Sequence, residues 1–288
     1  MNNGNELQKR ADAKAAMNVM LEVVRNVCLT LYGIFALFPI IWMALMSLKS
    51  DAEVVTTIFR FTPTLENYKQ VFFAPGSDYL RAFWQNFVVS GGAVLLTVIA
   101  GVPAAYALAR FDFKNKEGWA FQILSFKFAP EILVVLPVAL IFSRIGLFDT
   151  YFGLIWVYQL ITMPLLIWVV RGYFEDISVE IEQAAQLDGY KWWEVFMKIL
   201  LPLVKPGLVA SGLLAFIFAW NSFTFPLILS GTNVQTITVT SLRYMSTAAV
   251  HYGQVAVAAL IAAMPEIIIC LFIQKHLVRG LSFGAVKG

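Results

Sequence analysis

Six stretches of the chain are each apolar over about 18–24 residues, and they constrain the fold more than any other feature. They lie at about 26–48, 86–109, 119–142, 153–170, 206–229 and 254–274. A helix needs about 20 apolar residues to cross the hydrocarbon core of a bilayer. Only 14% of the 288 residues are charged, against about a quarter in soluble domains, so we expect the surface to face lipid. The sequence therefore predicts an all-α integral membrane protein with six transmembrane helices.

The six stretches form one domain. We expect an N-terminal segment at 1–25, a transmembrane domain at 26–275 and a short tail at 276–288. Two long loops, 49–85 and 171–205, belong to the domain. The first apolar stretch is too long for a signal peptide, and the residues after it lack a small-x-small cleavage pattern, so we interpret it as a helix.

Lysine and arginine residues fall unequally on the two sides of the predicted helices. Fourteen lie in segments that share the side of the N-terminus. Six lie in the opposite loops, namely Lys49, Arg60, Lys69, Arg81, Arg144 and Arg243. Because cytoplasmic loops retain basic residues, we predict that both termini and the 171–205 loop are cytoplasmic and that 49–85 lies outside.

Several classes of function lack their usual signals. The chain has no GxxxxGK[ST] loop for ATP phosphates, and its basic residues are too dispersed for nucleic-acid binding. Two cysteines, Cys28 and Cys270, and two histidines, His251 and His276, are the only such residues. They form no CxxC motif. We therefore predict no catalytic site, no metal site and no cofactor bound by this chain.

The 171–205 loop differs from the rest of the chain in charge and pattern. It holds six of the eighteen acidic residues, namely Glu175, Asp176, Glu180, Glu182, Asp188 and Glu194. Ser178 can cap a helix, and Ile181, Ala184 and Ala185 give that helix an apolar face. Asp188-Gly189 predicts a turn that ends it.

A second amphipathic helix is predicted after the turn. Trp193, Phe196, Met197 and Leu200 would share one face, and Pro202 and Pro206 would end this helix before the fifth span. Such a loop could lie on the lipid surface or bind a protein. The acidic first helix would be repelled by anionic headgroups, which favours a protein partner.

The same loop resembles a known motif. The run Gln183-Ala184-Ala185-Gln186-Leu187-Asp188-Gly189, followed by Ile199-Leu200-Leu201-Pro202, is similar in residues and spacing to the EAA loop of ABC importer permeases. Residues 61–68, 103–111, 220–223 and 277–288 resemble segments of maltose-transporter-type (MalG-like) carbohydrate permeases.

The resemblance implies a type I ABC importer transmembrane domain in the bacterial inner membrane. It implies a permease subunit that transports a sugar, glycoside, polyol or charged sugar derivative by alternating access. The implied partners are a second permease, two identical ATPase subunits that bind ATP and Mg, and a periplasmic binding protein. This chain would itself have no enzymatic activity.

The resemblance also assigns roles to residues of the loop. It implies that Gln183, Ala184, Ala185, Asp188 and Gly189 form the core of an ATPase-docking surface, with Glu182 and Trp193 beside them. The motif has glutamate where this chain has Gln183. A salt bridge to the ATPase would therefore come from Glu182 or be absent.

Ionisable residues inside a membrane segment indicate function by default. Lys127 and Glu131 lie four residues apart in the predicted third span. Either they neutralise each other on one helix face, or they face a cavity and bind substrate, and Pro130 and Pro137 would bend this helix. Glu266 lies in the predicted sixth span, and the sequence does not decide whether it faces the partner permease.

Side chains that suit a sugar lie in the fourth and fifth spans. They are Tyr158, Gln159, Thr162, Trp220, Asn221 and Ser222. Hydrogen bonds between helices are the other reading for each. A proton-coupled transporter and a membrane-embedded enzyme are the alternative functions. The first leaves the EAA-type loop unexplained. The second would need a shared site, and His251 and His276 are predicted on opposite sides of the membrane.

Overall fold

The computed structural model describes residues 3–54, 56, 59–245 and 250–282, with the backbone alone for 3–16 and 273–282. This part of the chain is helical, without β-strands, and has one isolated bridge between Met245 and Val250. Four helices are long and apolar enough to cross a membrane, and two bent helix pairs raise the number to six if each pair is one span. The all-α membrane fold is confirmed.

Thirteen α-helices follow one another in the described part of the chain. Their bounds are α1 Asn3–Ser47, α2 Glu66–Phe73, α3 Tyr79–Arg110, α4 Lys116–Ser125, α5 Glu131–Ile145, α6 Tyr151–Val157, α7 Gln159–Glu175, α8 Val179–Leu187, α9 Trp192–Val195, α10 Leu201–Trp220, α11 Thr224–Leu229, α12 Ile237–Thr240 and α13 Tyr252–Ser282. Short 3₁₀ helices follow α4 and α12, and a π turn joins α9 to α10.

Residues 1–69 and 251–260 form one compact unit. Here α1 begins at residue 3, well before the predicted start near 26, and its end is fastened by Asn67. The Asn67 amide donates hydrogen bonds to the carbonyl oxygens of Ser47 (2.9 Å) and Lys49 (2.8 Å). Because the last carbonyls of a helix lack partners within it, a buried amide at this position stabilises the helix end.

Residues 70–250 and 261–288 form the second unit, whose core is built around α3. Gly101 lets α3 approach α7 closely, because a Cβ there would lie 2.9 Å from Cδ2 of Leu166. Thr97 adds polar contacts in the same interface. Its hydroxyl donates to Oε1 of Gln159 (2.7 Å) and lies 2.6 Å from the hydroxyl of Thr162. Small residues and hydrogen bonds of this kind hold helices together in lipid.

The third span is broken rather than continuous. The prediction of one helix over 119–142 is wrong, because α4 and α5 meet at 94°. Ala129 is extended (φ −66°, ψ 128°) directly before Pro130. The proline ring disfavours the helical conformation of the residue before it, so Pro130 accounts for the break, as its sequence signal indicated. Pro137 lies inside α5.

The fifth span begins earlier than predicted and ends earlier. Pro202 and Pro206 do not end the preceding helix, because residues 192–220 form one helix. The Leu201 N–H donates to the Phe196 carbonyl five residues before it. This wider π turn leaves room for the ring of Pro202. The helix stops at Trp220, and the predicted 220–229 portion contains a break followed by α11.

The fourth and sixth spans lie where they were predicted, but the fourth is bent and the sixth is longer than predicted. The fourth consists of α6 and α7, which bend by 43° at Tyr158. The sixth is α13, which runs from residue 252 to 282 and includes Pro265. The motif at 277–288 falls on residues whose side chains, and at the end whose backbone, lie outside the description.

Candidate functional site

The 171–205 loop has the predicted order of helix, turn and helix. Ser178 caps α8 by accepting a hydrogen bond from the Glu180 N–H (3.4 Å). At the other end Gly189 is left-handed, with φ 91°. The Tyr190 N–H then donates to the Ala185 carbonyl (3.1 Å), which closes the helix end in the way glycine permits. The Glu194 carboxylate caps α9 by accepting from the Lys191 N–H (3.0 Å).

The turn of this loop is exposed. Gln183, Ala184, Asp188 and Gly189 are all exposed, and Leu187 between them is 89% exposed. Among the residues implied by the motif, Ala185 and Glu182 are buried. Of the predicted apolar face, Ile181 and Ala184 are exposed and Ala185 is buried.

Glu182 is held inside the chain rather than presented to a partner. Its carboxylate pairs with the guanidinium of Arg110 and accepts a hydrogen bond from the Tyr106 hydroxyl (3.0 Å). Arg110 also donates to the carbonyl oxygen of Ile177 (2.8 Å), just before α8. The side chains of Arg110 and Glu182 are 10% and 9% exposed. The expectation that Glu182 supplies a charge to the ATPase therefore does not fit this arrangement.

Aromatic rings lie beneath the loop. The Tyr106 ring lies 5.1 Å from that of Phe196 and 5.3 Å from that of Phe174, measured between centroids. The four residues of the predicted second face differ in burial. Leu200 is buried and Phe196 half-buried, whereas Trp193 and Met197 are exposed. Trp193 is thus available at the surface beside the turn.

The break in the third span lines a cavity of about 320 Å³. Lys127 and Glu131 both line it, together with Phe126, Ala129, Val134, Leu160, Ile161 and Phe225. The predicted neutralising pair on one helix face is wrong, because the chain is extended between the two residues. The Lys127 ammonium lies 3.5 Å from the centroid of the Phe218 ring, and no ion pair with Glu131 is found in the described part of the chain.

The three polar residues of the fourth span lie between helices. Tyr158 and Thr162 are fully buried. The Gln159 amide donates to the carbonyl oxygens of Ala93 (3.1 Å) and Ile155 (2.9 Å), and its oxygen accepts from Thr97. Gln159 also borders a second cavity of about 410 Å³, whose other lining residues are apolar. The hydrogen bonds of Gln159 and Thr162 therefore hold α3, α6 and α7 together in this arrangement.

The three polar residues of the fifth span lie at its broken end. The indole N–H of Trp220 donates to the Ala262 carbonyl (2.9 Å), and Ser222 is buried close to Tyr158. Asn221 is exposed and bonds the carboxylate of Glu266. That contact gives Glu266 a neighbour within the chain, which the sequence had left open.

Asp149 fastens a loop that the sequence analysis missed. Its carboxylate accepts hydrogen bonds from the backbone N–H groups of Gly231 (2.7 Å), Val234 (3.0 Å) and Asn233 (3.0 Å). Burial disfavours the charged carboxylate, but these donors outweigh it and hold the pKa of Asp149 below its usual value. The backbone of Asp149 is left-handed (φ 56°), a conformation that aspartate tolerates. The Asp149-Thr150 pair that follows α5 was therefore the available sequence signal for a turn here.

The described residues contain no group of three or more His, Cys, Asp or Glu side chains that could hold a metal ion. Cys28 and Cys270 are both exposed on the surface of the chain. His276 lies among the residues whose side chains are outside the description.

Comparisons with known proteins agree with this architecture. The family described as "Binding-protein-dependent transport system inner membrane component" matches residues 98–283. The chain is 33% identical to the trehalose transport system permease protein SugB of Mycobacterium tuberculosis, covering 88% of this chain and 93% of that protein. It is 30% identical to the trehalose/maltose transport system permease protein MalG of Thermococcus litoralis, covering 93% and 99%.

A solved structure shows the same fold. It is a bacterial ABC transporter involved in the import of the acidic polysaccharide alginate, and it matches with a TM-score of 0.72 at 24% identity. The match covers 90% of this chain and 97% of that one.

Proposed function

This chain belongs to the family of binding-protein-dependent transport system inner membrane components, and from that premise we propose that it is a permease subunit of an ATP-driven carbohydrate importer. A second permease would complete the pathway, two identical ATPase subunits would bind ATP and Mg, and a periplasmic binding protein would deliver the sugar. The relatives named for trehalose and maltose support a carbohydrate substrate.

The exposed turn around Gly189 carries the proposal. Gln183, Ala184, Asp188 and Gly189 present small and polar groups, and Leu187 adds an apolar side chain. These surround a turn whose two flanking helices are capped. Such a surface fits a cleft on a protein, because small side chains allow close approach. With Glu182 occupied by Arg110, docking would rest on hydrogen bonds and apolar contact at this turn, with Trp193 beside it.

The proposed topology places this turn where an ATPase can reach it. The excess of basic residues on the N-terminal side supports cytoplasmic termini, a cytoplasmic 171–205 loop and an outer 49–85 loop. ATP-driven closure of the ATPase dimer would move the docking loop, and release after hydrolysis would return it. The membrane cavity would then open alternately to the two sides.

The cavity at the break of the third span is the proposed site of substrate contact in this subunit. Lys127 offers an ammonium group and Glu131 a carboxylate at its edge, and Phe126 and Phe225 add aromatic rings. Hydroxyl groups of a sugar can bond both charged groups, and aromatic rings can cover its apolar faces. Tyr158, Gln159, Thr162, Trp220, Asn221 and Ser222 are less suited, since most of their polar atoms bond within the chain.

Two glycines that both have a left-handed backbone allow a matched test of docking. Gly189 (φ 91°) lies in the proposed docking turn, and Gly146 (φ 76°) ends α5. An added Cβ meets nothing within 4 Å at either position. Valine at either site therefore adds only the strain of a left-handed β-branched residue, on the order of 1–3 kcal/mol.

Each variant would be purified from membranes through a tag on this chain, and the co-purifying ATPase would be measured by ATP hydrolysis and mass spectrometry. We expect Gly189→Val to reach the membrane but to lose the ATPase, while Gly146→Val retains it. Equal recovery of the ATPase with both variants, or its absence from the unmodified complex, would refute the proposed docking.

A further inference from the structure

We propose that Tyr106 and Arg110 are positioning residues that join α8 rigidly to α3, so that the two helices move as one body when the ATPase drives the loop. This inference rests on the proposed docking of the 183–189 turn. It concerns how a displacement of that turn reaches the helices of the membrane domain.

The joint consists of three bonds from one turn of α3. Arg110 pairs with one carboxylate oxygen of Glu182, and the Tyr106 hydroxyl donates to the other (3.0 Å). Arg110 also donates to the Ile177 carbonyl oxygen (2.8 Å). These bonds hold the beginning of α8, through Glu182 in its first turn and through Ile177 just before its cap. Attachment of both the first turn and the residue that leads into it restricts the angle at which α8 leaves α3 as well as its translation.

Burial makes these bonds stiff. The Arg110 and Glu182 side chains are about nine-tenths buried, so water cannot readily replace either partner. A charge left alone in such a place is strongly disfavoured. Separating α8 from α3 would therefore be costly, whereas an exposed ion pair such as Lys198–Glu194 within the following helix contributes little.

Helix α3 connects this joint to the centre of the membrane domain. It packs closely on α7 where Gly101 meets Leu166, and Thr97 bonds Gln159 and Thr162 across the same interface. A movement transmitted to Arg110 is thus passed to the centre of the membrane domain. The rings of Trp192 and Phe196 also touch Tyr106, and they offer a second, purely apolar route that the experiment must separate from the joint.

The test measures a distance between α8 and α3 in the assembled transporter. Cysteines would replace the exposed residues Glu180 in α8 and Ile99 in α3, after Cys28 and Cys270 are changed to serine. Spin labels at 180 and 99 would be measured without nucleotide and after trapping with ATP, Mg and vanadate. The variants are Glu182→Gln, Arg110→Lys and Tyr106→Phe, with Lys198→Gln as the control that breaks an exposed pair inside one helix.

With the joint intact, the distance between the two labels should stay the same in both states, and Lys198→Gln should not alter this. In Glu182→Gln and Arg110→Lys the distance should shift on trapping by about 2–5 Å, the scale of helix displacements in coupled proteins. Tyr106→Phe removes one hydroxyl alone and should give a smaller shift of the same sign. In these variants we also expect the ATPase to hydrolyse ATP while α3 no longer moves in response to the nucleotide, which would show that coupling is lost.

The proposal is overturned if all variants keep the unmodified distance in both states, which would assign transmission to the aromatic route. It is also overturned if the unmodified chain itself shows the shift, or if even Tyr106→Phe fails to assemble, which would make these residues a requirement for folding. Failure of the proposed function looks different, because the unmodified chain would then recover no ATPase.

Discussion

Replacing Lys127 with methionine separates two accounts of this charge in the membrane domain. An ion pair with Glu131 would make the lysine a structural residue, as the spacing of the two residues in the sequence suggested. The structure instead places the ammonium 3.5 Å from the centroid of the Phe218 ring and finds no ion pair with Glu131 in the described part of the chain. Lys127 and Glu131 both line the cavity.

The two accounts predict effects of different size. Breaking a buried ion pair by removing one member costs about 3–5 kcal/mol. A cation–π contact contributes about 0.5–2 kcal/mol, and the methionine also removes the cost of placing an ammonium in a membrane segment, about 2.5–3.5 kcal/mol at mid-span. From the contacts of Lys127 we therefore expect Lys127→Met to stabilise the complex by about 0.5–3 kcal/mol, where loss of an ion pair would destabilise it.

Double-mutant cycles on the thermal stability of the purified complex measure the coupling energy between Lys127 and each of its two candidate partners. The first cycle combines Lys127→Met with Phe218→Leu, and the second combines Lys127→Met with Glu131→Gln. We expect a coupling energy on the order of 1 kcal/mol with Phe218 and less than about 0.5 kcal/mol with Glu131. A coupling of several kcal/mol with Glu131, together with a large loss of stability in Lys127→Met alone, would refute the reasoning.

Three further changes test other parts of the molecule. Asp149→Asn should speed the hydrogen exchange of the Gly231, Asn233 and Val234 amides, which donate to the Asp149 carboxylate. Because the pKa of Asp149 is lowered, this protection should be present above its unfolded pKa and lost as pH falls through the lower folded value, and protection rising on acidification would contradict it. Asn67→Ala should increase proteolysis of the segment after α1, since two carbonyl oxygens lose a buried donor; an unchanged cleavage rate would argue against that role. In a chain freed of native cysteines, cysteine in place of Glu66 should react with an impermeant reagent in intact cells and cysteine in place of Lys114 should not, and the reverse pattern would overturn the topology.

The helix boundaries show which signals in the sequence were sufficient. Pro130 indicated the bend in the third span, because a proline restricts the residue before it whatever surrounds the chain. Pro202 gave a false signal. It lies in a helix that continues because a π turn precedes it, and a π turn has no residue type that marks it. Local rules therefore located the first of these features and missed the second.

The 171–205 loop shows the same division. The cap at Ser178 and the turn at Gly189 depend on neighbouring residues, and both were predicted. The inward face of α8 was not, because Glu182 has a charge that normally indicates exposure. Its burial depends on Arg110, which lies 72 residues earlier in the chain. No periodicity within the loop could reveal a partner at that distance.

The Lys127–Glu131 spacing failed for a related reason. Side chains four residues apart meet only when the helix between them is continuous. The sequence contained both the pair and the proline that separates it, and the two signals contradict each other. Pro130 has the stronger physical basis, because its effect is steric and costs more than an exposed or half-exposed ion pair contributes.

Three breaks between helices in the described part of the second unit lie beside one of its two apolar clusters. The end of α3 that bonds the 171–205 loop packs in the other cluster, which includes Val102 and Phe174 and also Leu200 of the π turn. The three breaks, at Pro130, at Tyr158 and after Trp220, border the first cluster, in which Val135, Tyr158 and Phe225 are buried. A helix changes its angle most readily where its hydrogen bonds are already interrupted. A displacement delivered through α8 and α3 would therefore be absorbed mainly as a change of angle at the breaks near the cavity that Lys127 and Glu131 line.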